Sequence, residues 1–250
     1  MGTVTDKITR YWSKGEINFI KRNWRLSSVE LSKVMKRDMH GIVDKRRALN
    51  LPKRECDIVP ITFKQKMILY GSLLGDGSIV SGKEDRNCRF SEAHSVKQKD
   101  YLLFKHKQLE PFSGKFIEYP RKDGGRDVKF STKAHSCFNK LRMMFYDKSG
   151  RKIIKFSTLK KITHPIALAM WFGDDGSKEK DSYRIATAAY TVQEIKTLIK
   201  WLKDFFNING YLHKHGKYWY LSIREDRTRF TKLIKSYLPK GLYYKLFLMN

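Results

Sequence analysis

Leu69-Tyr-Gly-Ser-Leu-Leu-Gly-Asp76-Gly77 and Leu168-Ala-Met-Trp-Phe-Gly-Asp-Asp175-Gly176 are the two stretches from which the rest of the chain can be read. Each is an apolar run of helical length that stops at a carboxylate followed by glycine, and the two stand roughly a hundred positions apart. A run apolar on every side is expected to bury itself, which leaves its acid at the edge of a core, where a cation could hold it. Without a cation, an aspartate at a helix C-terminus opposes the helix dipole and is locally unfavourable. The same device used twice suits chemistry on two similar targets, such as the strands of a duplex.

Composition narrows the partner. Lys and Arg number 52 against 25 Asp and Glu, giving a net charge of +27 and a pI near 10.0, a field that attracts a polyanion. The apolar runs fall far short of the ~20 residues that a membrane-spanning helix needs, and residues 1–14 carry no apolar signal-peptide core. Nucleic acid is therefore preferred to a membrane. Hydrophobic residues at 41% exclude a disordered basic tail. Cys56, Cys88 and Cys137 are isolated and odd in number, which speaks for a reducing intracellular compartment.

Outward from the two runs, the pattern repeats. After the first (residues 63–75) the sequence predicts strands at 78–80 and 88–94, a helix at 96–109, a hairpin of 115–119 with 127–132, and a helix at 134–146. After the second (165–173) it predicts a strand at 183–188, a helix at 192–206, a hairpin of 211–215 with 218–223, and a helix at 227–238. A repeat this long signals a duplicated, pseudo-twofold body. Ahead of it, residues 1–57 read as three short helices, the first opened by the capping box Ser13-Lys-Gly-Glu16 and the third, 40–49, carrying Lys45, Arg46 and Arg47. That is a helix-turn-helix-like pattern whose last helix would enter a major groove. Residues 52–60 read as a linker. The expected class is α+β: a small all-α module at 1–57, then two αββαββα halves at 58–160 and 161–250.

The hairpin strands alternate: Arg126, Val128 and Phe130 against Asp127, Lys129 and Ser131, and Lys217, Trp219, Leu221 and Ile223 against Tyr218, Tyr220, Ser222 and Arg224. One face would pack under helices while the other offers donors to base edges. Candidate DNA contacts are Arg121, Lys122, Arg126, Lys129, Lys133, Arg184, Lys214, Lys217, Tyr218 and Arg224, with Lys45, Arg46 and Arg47 in the N-terminal module. His213 and His215 have no third ligand at zinc spacing and read as facing DNA or solvent.

The paired nonamers resemble those of single-chain, two-motif LAGLIDADG homing endonucleases. The first matches at Leu69, Gly71, Asp76 and Gly77, the second at Leu168, Ala169, Asp175 and Gly176, and the likeness spans residues 61–250. Gly150-Arg-Lys152-Ile-Ile and Leu242-Tyr-Tyr-Lys245-Leu resemble the basic segments of that family. The resemblance implies motif helices packed side by side through Gly71/Gly75 and Ala169/Gly173, with Met170 out of register. It implies Asp76 and Asp175 as metal ligands, aided by the carbonyls of Gly75 and Asp174. Mg²⁺ is the implied cofactor, with Mn²⁺ able to substitute. Lys152 and Lys245 would stabilise charge on the reacting phosphate. His94 would organise water, its counterpart lying near Ala188. The implied product is a double-strand break with short 3′ overhangs across the minor groove, made by a monomer on a long duplex. Three rivals share these features: an RNA maturase acting on intron RNA, a DNA-binding regulator that has lost the acids, and an intein, which would need a splicing domain that the sequence lacks. Both acids are present, which favours the enzyme.

Overall fold

The computed structural model describes residues 11–52, 59–81 and 87–247; Cys56 and most of the expected linker lie outside them. The chain divides into two compact units, Met1–Pro60 and Ile61–Asn250.

The first unit holds α1 (Lys14–Arg22), α2 (Ser28–Met35) and α3 (Met39–Ala48). Capping boxes at Ser13/Glu16 and Ser27/Glu30 start the first two helices, and Asp38 caps the third. Lys36 adopts a left-handed conformation at the end of α2 (φ 50°), which permits the tight turn into α3. Ile20, Leu31 and Ile42 are fully buried, with Trp12, Leu26 and Met35 packed around them. Here one expectation fails. Arg46 is not on the solvated face of α3: its guanidinium is buried and donates to the carbonyls of Leu26 (2.6 Å), Trp24 (2.7 Å) and Pro52 (3.0 Å). It ties down chain ends that would otherwise leave buried carbonyls unpaired.

The second unit is the predicted duplication. α4 (Phe63–Leu74), β1 (Ser78–Val80), β2 (Arg89–Ser95), α5 (Lys99–Gln108), β3 (Ser113–Pro120), β4 (Arg126–Thr132) and α6 (Ser136–Phe145) form the first half. A short α7 (Phe156–Leu159) precedes α8 (Pro165–Asp175), β5 (Gly176–Lys178), β6 (Tyr183–Ala186), α9 (Val192–Phe206), β7 (Tyr211–His215), β8 (Tyr218–Ile223) and α10 (Arg227–Ile234). The sheets share one antiparallel order, β1-β2-β4-β3 and β5-β6-β8-β7. Phe90, Val128 and Phe130 in one sheet and Ile185, Leu221 and Ile223 in the other are buried under helices, so the alternate residues of each strand form an open face.

The motif helices α4 and α8 pack against each other as the spine between the halves. Every residue from 67 to 74 in α4 and from 166 to 173 in α8 is buried, hence the lack of a polar face along these runs. The contact is closer than side chains permit: a Cβ on Gly71 would overlap the carbonyl oxygen of Ala167, and one on Gly75 would lie 2.6 Å from Asp174 Cβ. The glycines of α4 therefore meet Ala167 and Asp174, not Ala169 and Gly173. Gly173 instead makes room for the Tyr101 ring, which accounts for the mismatch in register at Met170.

Gly71→Ala is expected to destabilise the protein by about 2–4 kcal/mol, measured by urea unfolding. Gly241→Ala, in open space, should change stability by no more than about 0.5 kcal/mol. Equal effects would show that the helices are not held at backbone contact.

Candidate active site

The two motif ends differ in shape. α4 stops at Leu74 with Gly75 as its cap, so Asp76 stands just beyond the helix, whereas α8 continues through Asp175. A helix C-terminus leaves carbonyls without intrahelical partners, and here ammonium and phenol groups supply them. Lys152 Nζ donates to Gly75 O (2.5 Å) and Lys245 Nζ to Gly173 O (2.7 Å). Tyr190 donates to Leu74 O (2.9 Å), and further inside α8 the Tyr101 hydroxyl lies 2.8 Å from Met170 O, a carbonyl of the helix interior. The two candidate lysines thus sit at the two motif ends, and the Gly75 carbonyl, expected to face a metal, instead accepts Lys152. Burial pushes both ammonium groups below the usual lysine range.

The three acids are in three different environments. The Asp76 carboxylate is half exposed, at 48%. Asp175 carries a carboxyl pushed up to about 8, first by burial and then by the charges of Asp174 and Asp76. The Asp174 side chain is fully buried and belongs to a network with no counterpart in the expectations. Its carboxylate is 2.7 Å from Lys105 Nζ, 2.8 Å from the Tyr101 hydroxyl and 3.3 Å from the backbone N–H of Asp76. Lys105, itself fully buried on α5, reaches Glu92 at 2.6 Å, and Glu92 is 2.6 Å from His94 Nε2. Burial alone would raise Glu92, but Lys105 and His94 hold it down to about 2. Burial, with Glu92 nearby, pushes Asp174 up against the pull of Lys105. Taking one partner from such a set costs about 3–5 kcal/mol, because the charge left behind is buried and unpaired.

The Lys105–Glu92–His94 part of this network belongs to the first half and, among the described residues, has no counterpart in the second. Ser91 pairs with Ser78 and Arg184 with Ser177; counted from those pairs, Glu92 corresponds to Ile185 and His94 to Thr187. The counterpart of His94 is thus Thr187, not Ala188, and the apolar Ile185 leaves nothing for a buried cation to pair with.

Asp76, His94 and Asp174 each offer one atom within 4.8 Å of the others. That triad is nevertheless a poor cation cage. His94 holds Nε2 on Glu92 and Nδ1 on Gln98 (3.1 Å), so both ring nitrogens are already engaged with acceptor oxygens. Asp174 is already engaged by Lys105 and Tyr101. Asp76 and Asp175 remain, hard oxygen donors whose mutual repulsion a divalent cation would relieve.

The other candidates divide by face. Lys129 and Ser131 stand on the open face of the first sheet, where Arg89, Lys115, Lys129 and Lys133 line a shallow basic cavity. Arg126 alternates to the opposite face and pairs with Glu118 (2.7 Å). Lys214, opposite Trp219 in the register, shares that residue's helix-side face, its ammonium 5.8 Å from the ring. Arg126 thus shares the face of Val128 and Phe130, as the strand alternation implies. Arg184, Tyr218 and Arg224 are on the open face of the second sheet, Arg224 paired with Asp181. Arg121 folds onto Asp123 within its own turn, Lys122 is exposed beside it, and Lys217 stands at the hairpin tip, 5.2 Å from the Tyr218 ring. In the first unit Lys45 lies 5.7 Å from the Trp12 ring, and Arg47 is exposed beside Asp44. Sequence reasoning missed Arg89 and Lys115, although strand alternation carries them. It also missed Glu92, Tyr101 and Lys105, which no local pattern marks.

A sequence profile described as the LAGLIDADG DNA endonuclease family matches residues 66–230. The chain is 29% identical over 209 residues to "DNA endonuclease I-ChuI" of Chlamydomonas applanata, covering 74% of this chain and 95% of that one. It is 28% identical over 198 residues to "Cytochrome b mRNA maturase bI2" of Debaryomyces hansenii, covering 75% of each. The structure of the homing endonuclease I-WcaI bound to its DNA recognition sequence superposes with a TM-score of 0.69 at 23% identity, covering 78% of this chain and 91% of that one. Among the described residues no helix is long and apolar enough to cross a membrane.

The raised carboxyl of Asp175 has a signed consequence. The folded state holds a proton that the unfolded state has released between about pH 4 and about pH 8, so this group lowers stability as pH rises through that window. Asp175→Asn should therefore leave the melting temperature of the metal-free protein unchanged below about pH 4 and raise it above about pH 8. Mg²⁺ should stabilise the wild type more than the variant. A melting-temperature gain of equal size at both ends of the range would count against a buried, repelled Asp175.

Proposed function

The chain belongs to the LAGLIDADG DNA endonuclease family, and from that premise we propose that it is a site-specific endonuclease hydrolysing both strands of a long duplex DNA, one at each motif acid. The observation that carries the reading is the pairing of Asp76 and Asp175 at adjacent ends of the motif helices, with Asp175 pushed up by burial and then by its acidic neighbours. Two retained acids that destabilise one another make chemical sense where a cation and a phosphate join them.

Asp76 and Asp175 would hold Mg²⁺, or Mn²⁺ in its place, which when bound supplies Lewis acidity and a more acidic water. Lys152 and Lys245, anchored on the motif carbonyls, place positive charge where the phosphorane develops it. Because burial lowers both, they are closer than ordinary lysines to exchanging a proton near neutrality. Lys105 and Tyr101 fix Asp174, and Asp174 in turn receives the N–H of Asp76, which orients that acid. The basic open face of the first sheet and the Arg- and Tyr-bearing face of the second would grip the duplex on either side of the cut, with the chain working as a monomer. A second reading, assistance in intron RNA splicing, is favoured by the maturase relative; it gives no reason for keeping both acids.

The first unit would add affinity on one flank. Lys45 and Arg47 remain available there, while Arg46 is a structural anchor.

Asp76→Asn and Asp175→Asn should each lower plasmid cleavage by about a thousandfold, equivalent to ~4 kcal/mol of transition-state stabilisation. Duplex binding in gel shifts should stay within several-fold of wild type. Near-normal cutting by either variant would sink the assignment of the acids.

Deleting residues 1–57 should leave the cut position unchanged, weaken binding, and shorten the footprint on one side only, because there is one such unit on a pseudo-twofold body. Loss of protection on both flanks would assign the segment to packing or partner binding instead.

A further inference from the structure

The open face of the second sheet carries a stack that the first sheet lacks. β8 lies between β6 and β7. Tyr220 on β8 is opposite Ala186 on one side and His213 on the other, while Arg184 pairs with Ser222 one step along the same face. From that position Arg184 reaches diagonally past the small Ala186, and its guanidinium carbon sits 4.3 Å from the centre of the Tyr220 ring. On the other side the His213 ring is stacked on Tyr220, with centroids 5.5 Å apart and planes inclined by 21°. Glu179 stands 3.6 Å from Nη1 of the same arginine. At the equivalent register positions the first sheet has Ser91, Lys129 and Ile117, which cannot form such a stack.

This arrangement decides between two modes of nucleic-acid contact. A base stacks on an aromatic ring whose face is free, as single-stranded RNA does on sheet aromatics. Both faces of Tyr220 are covered, by a cation and by an imidazole, so it offers no platform for a base. Arg184 gains what an exposed arginine lacks. Its guanidinium plane is fixed by the ring, which lowers the entropy cost of holding the fork in one orientation. A fixed fork in a major groove matches the O6 and N7 acceptors of guanine.

We propose that Arg184 is the specificity-determining residue of the second half, reading a guanine in the half-site under that sheet, and that Tyr220, backed by His213, is its positioning residue. The assignment rests on the reading of the target as duplex DNA. It adds that discrimination is uneven, with one strongly read G·C pair on the second-half side and no equivalent on the other.

The test uses the full chain and a random duplex library. Duplexes enriched by wild type are remade with each base pair substituted, and competition binding is measured for wild type, Arg184→Ala, Arg184→Lys, Tyr220→Phe and Tyr220→Leu. Wild type should prefer one G·C pair in one half-site by roughly 5–150-fold, the range of a bidentate contact. Arg184→Ala and Arg184→Lys should abolish that preference and leave the other positions intact. Tyr220→Phe keeps the stack and should keep the preference. Tyr220→Leu should weaken it several-fold at the same base pair, although the arginine is untouched. Three results overturn the proposal. Arg184→Ala could weaken all sequences alike and reduce the salt slope by about one, the mark of a phosphate contact. Tyr220→Leu could relax a different position, or Tyr220→Phe could do as much damage as Tyr220→Leu, which would make the hydroxyl the reader. Cleavage of the enriched duplexes is scored separately: enrichment without cutting removes the endonuclease reading while leaving the readout arms decisive, and absence of any enriched duplex overturns the present assignment.

Discussion

Everything in the larger unit depends on two apolar helices meeting at backbone distance. Residues 67–74 of α4 and 166–173 of α8 are buried throughout, and the approach of the helices at Gly71 and Ala167 leaves no room for a methyl group. Burial of this kind is favourable by area, but here its main product is geometric. It brings two helix C-termini side by side, each with carbonyls in need of donors, and it carries three carboxylates to the same place. The lysines and tyrosines that satisfy those carbonyls come from distant points in the chain. The lysines act within their own halves, whereas Tyr190 and Tyr101 each reach the other half's motif helix and so brace the two together where the acids meet.

How that charge is held shows why the halves are not copies. In the first half Glu92 and Lys105 lie in the core between sheet and helix, and the register-equivalent of Glu92 in the second is Ile185, buried and apolar. A buried ion pair is seldom better for stability than well-packed apolar groups, so the first half retains a costlier solution than its sibling. What that solution provides is a fixed partner for Asp174, and through Asp174 a hydrogen bond to the backbone of Asp76.

Much of this was legible in the sequence because it is written locally. Apolar runs ending in Asp-Gly, strand alternation and capping boxes each have a short-range signature, and the repeat made them mutually consistent. The α+β class, the duplication and the paired hairpin strands followed from those signals, whereas β5, three residues long at Gly176–Lys178, was given no position by them. The misreadings share one cause. Arg46 reads as one of three basic neighbours on α3, but what decides its role is a long-range fact: which carbonyls lie nearby. Lys105 and Glu92 are the clearest case. A lysine in a helix of a lysine-rich chain looks solvated, and nothing short of the packed fold reveals that it is sealed between two acids.

Asp174 stands where the first motif has Gly75, and its side chain is received entirely by groups of the first half: Lys105, Tyr101 and the amide of Asp76. Two first halves joined as a symmetric dimer would leave each Lys105–Glu92 pair facing a glycine. Two second halves would drive a pair of Asp174 carboxylates together with no ammonium between them. Each half is thus the other's obligatory complement, and a body that looks like a fused dimer can no longer be taken apart into one.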